Sequence, residues 1–313
     1  MERGTFEDAA GDALGPGRLA ADVPLAPFTT FRVGGAADWM AEVRTADELR
    51  AILAIARASD VPVTVLGGGS NVVVSDRGVR GLVVRPILTG ITQPEPGLVR
   101  AEAGVTINGL VRWTIGRGLA GIEAWAGTPG TIGGAVYGNA HWQGRNIGDV
   151  IHQVCLTSRT GELVTVPRHE MAFAYDTSRL QRTGEILVWA ECRVSPGEPT
   201  ALRLEARRSL AYRKRTQPLA SPSAGCIFQN PDPSREAVPD GIPPSAGALV
   251  DRAGLKGRAI GGAHISDTHG NFVVNDGTAT AEDIRALVEL ARETVRDRFG
   301  VVLRDEVVWL GAF

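Results

Sequence analysis

Cysteine is scarce in this chain, with only Cys155, Cys192 and Cys226 in 313 residues. An odd number without paired spacing excludes a disulfide framework and a CxxC metal site, and a reducing compartment is the simple reading. Long apolar runs are missing as well. No stretch approaches the ~18 residues of a membrane span, because charge or Gly breaks each candidate. The opening MERGTFEDAAGDALGPG carries acidic side chains where a signal peptide needs a basic start and an apolar core. A cytoplasmic location is therefore expected. Charge of one sign is also lacking: 33 Lys and Arg against 35 Asp and Glu give a net charge of −2. That balance excludes a polybasic nucleic-acid binder, and no membrane partner is expected. No His, Cys, Asp or Glu cluster has metal-ligand spacing, so no metal is expected.

Glycine is abundant instead, at 39 residues, and clusters at 67–69, 133–134 and 261–262. Such clusters occur where backbone must turn with positive φ or approach a ligand closely. The length suits about two domains on a prior of roughly 100 to 200 residues each. Residues 1–20 show no hydrophobic periodicity and read as a loose N-terminal extension. A strand over 39–43 is followed by a helix with Thr45 and Glu48 in capping-box spacing and Leu49, Ile52, Leu53 and Ala56 on one face. A strand over 61–66 completes a β-α-β unit, and Leu82–Val84 is a further short strand. Strands are predicted over 150–157, 162–166 and 186–194, with a helix over 107–117. A helix with a basic end spans 200–214, and its run Arg213-Lys214-Arg215 reads as a solvated helix end or as part of a phosphate-binding field. Prolines at 218, 222, 231, 233, 239, 243 and 244 then argue against regular structure. The clearest helix opens at Thr280 and stops at Gly300, and a strand over 301–310 closes the chain. The fold class is α+β, with a domain boundary near residue 200.

Two glycine loops carry the chemistry. Gly67, Gly68, Gly69, Ser70 and Asn71 follow a strand, where successive N–H groups and a hydroxyl can form an anion nest. A tight turn is the plain alternative, since the P-loop lysine and the GxGxxG spacing are both absent. The second loop, 127–139, includes Thr128, Pro129, Gly130, Gly133, Gly134 and Ala135. It is too glycine-dense for a core element. Either loop alone could be a structural corner; two of them in one mixed domain favour a dinucleotide held at its pyrophosphate.

These loops belong to seven blocks: TTFRVGG (29–35), LGGGSNV (66–72), GTPGTIGGAVYGNA (127–140), PSAGCIFQNP (222–231), AGLKG with IGGAHIS (253–266), HGNFVVN (269–275) and GVVLRDEV (300–307). In this order, over about residues 24–310, the chain resembles the UDP-N-acetylenolpyruvoylglucosamine reductases (MurB), flavoenzymes of peptidoglycan precursor synthesis. The resemblance implies an FAD-binding region over 21–200, of the vanillyl-alcohol-oxidase type, in two subdomains split near residue 86. It implies an α+β substrate-binding domain over 201–313. The implied reaction has NADPH reduce bound FAD, with hydride then passing to the enolpyruvyl ether of a UDP-sugar. Such chemistry needs an anion site for the enolate and a proton donor to quench it. A cytoplasmic monomer is expected, with the nucleotide sugar and NADPH as its small-molecule partners.

Carried over residue by residue, the resemblance makes Cys226 the proton donor, where most of the family has Ser. A thiol with an ordinary pKa of about 8.5 is mostly protonated at neutral pH and is a stronger acid than a serine hydroxyl. Glu306 matches the family's catalytic Glu, which helps polarise the enolate or protonate it, while Asp305 beside it reads as a solvated strand carboxylate. Gln229 and Asn230 are candidate substrate contacts, and Tyr175 is the candidate capping aromatic. Lys256, one of two lysines against 31 arginines, reads either as a point charge for a diphosphate or as a compositional remnant. One departure stands out. The family's Tyr-Arg-x-Ser is here Tyr175-Asp176-Thr177-Ser178, placing an acid where the enolate needs a cation. Arg179 or Arg182 could substitute. Alternatively, the departure marks a flavoprotein with another substrate, or a flavin- and nucleotide-sugar-binding homologue without catalysis. His169 reads as surface, and His269 as a structural hydrogen-bonding residue.

Overall fold

The computed structural model describes residues 3–158 and 160–313. Contacts divide the chain into two compact units, the first of residues 1–23, 37–68 and 80–211, the second of 24–36, 69–79 and 212–313. The break near residue 200 lies at 211, inside the helix Pro199–Thr216. Two early segments also belong with the C-terminal part. Val72–Val74 forms a parallel ladder with Val308–Leu310, the last strand of the chain. Asn275 Nδ2 donates to the Phe31 carbonyl at 2.9 Å, and Phe31 and Val33 are core residues of the second unit.

The first unit contains two sheets. One orders its strands Leu19–Pro24, Ala36–Val43, Val79–Pro86 and Val63–Val65, the last two parallel. The helix Ala46–Ala58 packs Leu49, Ile52, Leu53 and Ala56 against this sheet, and Thr45 caps it by accepting the Glu48 amide at 3.1 Å. The capping box is incomplete. Glu48 turns instead to the Arg44 amide and to Arg18, whose guanidinium holds its carboxyl down at about 2. The other sheet is antiparallel, in the order Leu163–Pro167, Ile151–Thr157, Ile186–Arg193, Leu98–Glu102, Ile91–Glu95. The helix Ile107–Gly116 buries Leu110, Val111 and Ile115 in its core.

The expected loose lead-in is corrected. Apart from Met1 and Glu2, which lie outside the described residues, the segment forms the helix Arg3–Leu14, with Phe6, Ala10 and Leu14 buried at i, i+4 and i+8. Phe6 packs against Trp39 in a tilted arrangement, with ring centroids 4.9 Å apart. The spacing is helical, but three apolar residues among Gly, Ala and Asp give too weak a period to read.

In the second unit, the strands Ala259–Ile260, Ala263–Ile265 and Val273–Asn275 form an antiparallel sheet covered by the helices Ala246–Arg252 and Ala281–Phe299. The longer helix has a full capping box, Thr280 with Asp283, and Asp76 accepts the next amides, those of Ala281 at 2.9 Å and Glu282 at 3.0 Å. Gly300 ends it at φ 71°. The predicted closing strand over 301–310 shrinks to Val308–Leu310. Residues 301–307 run as an irregular segment whose Val301, Leu303 and Val307 are anchored in the core. Among the described residues, no helix is long and apolar enough to cross a membrane.

Candidate active site

In the first unit the two glycine loops touch backbone to backbone. A Cβ on Gly68 would lie 2.7 Å from the Gly130 Cα, and one on Gly67 would lie 2.8 Å from Thr131 Oγ1. Side chains there would force the loops apart. Thr131 then caps the short helix Ile132–Tyr137, and Asn108 braces the loop by accepting from Gly127 and donating to the Thr128 carbonyl. Gly134 differs from its neighbours. It is exposed, and a Cβ built on it would meet nothing nearer than Thr131 Oγ1 at 3.8 Å. A glycine that packing does not require leaves bare backbone for a flat ligand to approach. Together, Gly67, Gly68, Thr128, Pro129, Gly130, Gly133, Gly134 and Ala135 form a cradle that fits a dinucleotide such as FAD.

The remaining residues of the first loop lie in the second unit. Gly69 takes φ 61° and accepts the Thr30 amide on its carbonyl. Ser70 follows it, and Asn71 donates from Nδ2 to the Glu306 carbonyl at 3.0 Å. Asn71 thus pins Glu306 from one side. From the other, the Glu306 amide donates to the Ile227 carbonyl at 2.8 Å. The segment 226–228 makes single β-bridges on both flanks, Cys226 to Phe272 and Phe228 to Asp305. Cys226 and Glu306 are therefore held on adjacent, hydrogen-bonded backbone segments. Asn271 reinforces them, accepting from the Phe228 amide at 2.9 Å and donating to its carbonyl at 2.7 Å.

One neighbour differs from expectation. Asp305 is not a solvated carboxylate: it pairs with Arg292 and accepts from Trp309 Nε1 at 3.0 Å. Asn230 accepts the Ala246 amide at 3.0 Å, at the start of the helix Ala246–Arg252. The backbone of Gln229 donates to Arg304, leaving its side chain partly exposed. Lys256 pairs with Asp251 at 2.9 Å. His269 is structural, since its Nδ1 accepts the Asn271 amide at 3.2 Å and burial pushes its pKa down, with Lys256 adding to the effect. His169 is exposed.

Arg213, read as part of a solvated basic end, is buried. Burial draws its guanidinium down to about 10, and the nearby Cys226 side chain opposes that shift. Position 213 shares one helix face with Leu202, Ala206 and Ser209, a stripe that the surrounding charges hide in the sequence.

The region of the missing Arg is in the first unit. Arg179 cannot substitute as it stands, because it grips Glu185 with Nε at 2.7 Å and Nη2 at 2.9 Å, and Arg182 is exposed on the following turn. The basic group at Asp176 is His141, whose Nδ1 lies 3.0 Å from Oδ1. Tyr175, exposed, sets its ring 5.1 Å from that of His141. No sequence pattern marks this pair, since its members are distant in the chain.

Two family models match separate stretches of the chain. Residues 37–167, which include the whole glycine cradle, match the family model "FAD binding domain". Residues 217–310, holding Cys226 and Glu306, match "UDP-N-acetylenolpyruvoylglucosamine reductase, C-terminal domain". The UDP-N-acetylenolpyruvoylglucosamine reductase of Synechococcus sp. (strain JA-3-3Ab) is 42% identical over 299 residues, covering 95% of this chain and 93% of its own. That of Gloeobacter violaceus is 38% identical, covering 96% and 97%. The crystal structure of UDP-N-acetylenolpyruvylglucosamine reductase (MurB) from Thermus caldophilus matches with a TM-score of 0.76 at 32% identity, over 92% of this chain and 98% of that one. With near-complete coverage in both directions, the chain belongs to the UDP-N-acetylenolpyruvoylglucosamine reductase family.

Proposed function

We propose that the protein reduces UDP-N-acetylglucosamine enolpyruvate to UDP-N-acetylmuramate, using FAD and NADPH, as a cytoplasmic step in peptidoglycan precursor synthesis. The observation that carries this reading is the backbone-locked pair Cys226 and Glu306, set in the segment that matches the reductase family's C-terminal domain. When bound, FAD supplies hydride transfer to the carbon of the enol ether.

The residues of this chain have the complementary tasks. Hydride addition to an α,β-unsaturated acid leaves an enolate, whose charge develops on the carboxylate oxygens. Cys226 holds a proton on Sγ and delivers it to the enolate carbon. Glu306, fixed by the Ile227 carbonyl and by Asn71, polarises the enolate at its oxygens, which requires its carboxyl to be protonated when it donates. Lys256 and the side chains of Gln229 and Asn230 orient the nucleotide sugar, and Tyr175 covers it. NADPH oxidation with and without UDP-N-acetylglucosamine enolpyruvate tests the reading. The expected product is heavier than the substrate by two hydrogens, and substrate-independent oxidation alone would contradict the assignment.

A further inference from the structure

We propose that an open cleft at one end of the first unit's antiparallel sheet, lined by His152, Pro167, Arg168, His169 and Arg193, binds a phosphate-bearing small molecule. The cleft measures about 330 Å³, inside the ~300–1,000 Å³ range of small-molecule sites and more than a single ion needs. None of its residues belongs to the glycine cradle or to the Cys226 and Glu306 segments. The ligand is additional to those of the reaction proposed above.

Three strand ends bring these side chains together. Gln153 pairs with Pro167 on one flank, and Arg193 closes the strand Ile186–Arg193 on the other. The register slips between the pairs Ile151–Cys192 and Gln153–Glu191, so His152 is the extra residue of a β-bulge. A bulge re-aims its side chain, here to Arg193, whose Nη2 lies 3.1 Å from His152 Nδ1. A guanidinium only donates, so Nδ1 is the acceptor and the ring proton sits on Nε2. Arg193 Nη1 donates to the Ile151 carbonyl at 3.0 Å, and among the described residues this arginine has no acidic partner. The 3-10 turn Arg168–Met171 follows the strand Leu163–Pro167 and sets a second guanidinium at the cleft. Arg168 Nε donates to the Gly148 carbonyl at 2.5 Å, and Nη2 meets Asp149 at 3.3 Å. Glu170, the other nearby acid, lies 3.9 Å from His169 Nε2 and 3.7 Å from Arg179.

Two guanidinium groups and two imidazoles around one space suit an oxyanion. Each arginine gives two N–H donors to the protein and keeps three. A carboxylate offers two oxygens in one plane. A phosphate group offers three that diverge, with about −1.5 to −2 of charge at neutral pH, which matches donors converging from separate strand ends.

The test titrates the FAD-loaded protein, in chloride buffer at neutral pH, with pyrophosphate, inorganic phosphate and NADP⁺ in separate experiments. The imidazole ¹⁵N resonances of His152 and His169, assigned from the His152→Gln and His169→Gln spectra, are followed throughout. Pyrophosphate should shift both and saturate in the millimolar range or below, with inorganic phosphate acting at higher concentration. The midpoint of the His152 shift reports affinity at the cleft itself, whatever binds elsewhere. Arg193→Gln and Arg168→Gln should each move that midpoint about tenfold or more to higher pyrophosphate, as for loss of a charge-assisted contact, with Arg193→Lys between. FAD content should match wild type in every variant. Shifts that never saturate, or that added chloride reproduces, overturn the proposal, as does a wild-type midpoint in either glutamine variant. Saturation by NADP⁺ with pyrophosphate inert overturns it as well, because the cleft then belongs to the nicotinamide cofactor.

Discussion

Cys226 stands where most of the family has serine, and its backbone is clamped between Phe272 and the Glu306 segment. Both residue types carry a proton at the same atom, so Cys226→Ser should keep measurable turnover. Cys226→Ala should lower kcat by about 100-fold or more. Equal rates in the two variants would remove the thiol from the mechanism. Gly134 gives a second test at this scale. Its Cβ would make only an ordinary 3.8 Å contact with Thr131 Oγ1, and Ala is favoured over Gly within a helix by about 1 kcal/mol. Gly134→Ala should therefore leave the fold at least as stable while reducing FAD retention on gel filtration; unchanged FAD retention would mean that the cradle surface lies elsewhere. The glycine loops and the Cys226 and Glu306 segments were legible in the sequence because each is a contiguous motif. Asp176 was legible only as an anomaly. Its partner His141 and the burial of Arg213 depend on contacts between distant residues, which no local pattern encodes.

Element ends were readable wherever a cap fixed them. Thr45, Thr280 and Gly300 each mark the boundary that the structure shows, because one hydroxyl or one positive-φ residue suffices to start or stop a helix. Weakly patterned elements were not readable. The helix Arg3–Leu14 is held by Phe6, Ala10 and Leu14 against the first sheet's core, so Phe6→Ala should cost about 3 kcal/mol in denaturant unfolding, as for a buried aromatic. A loss near zero would mean that this helix is not part of the cooperative fold. The helix Ala46–Ala58 also carries a pH signature. Glu48 is lowered from 4.5 to about 2 by its hydrogen bonds to Arg18. Its folded form is depressed, so its contribution is complete above pH 4.5 and lost as pH falls toward 2. Glu48→Gln should flatten the stability curve across that window and lower stability above it. An unchanged curve would show that the Arg18 pair contributes nothing to folding.

For the molecule as a whole, contacts separate the two units at 211. The return of 24–36 and 69–79 to the C-terminal unit was not legible in the sequence, because it rests on a parallel pairing between distant strands. The glycine cradle lies in the first unit and the Cys226 and Glu306 segments lie in the second. The proposed function requires that reducing equivalents held in the first reach a UDP-linked enolpyruvyl ether. The most direct measurement is anaerobic: the FAD-loaded protein is reduced with one equivalent of NADPH, and flavin absorbance is followed as UDP-N-acetylglucosamine enolpyruvate is added. Prompt return of the oxidised flavin spectrum with formation of UDP-N-acetylmuramate is the predicted result. A flavin that stays reduced with that substrate, yet reoxidises on admitting oxygen, would contradict it.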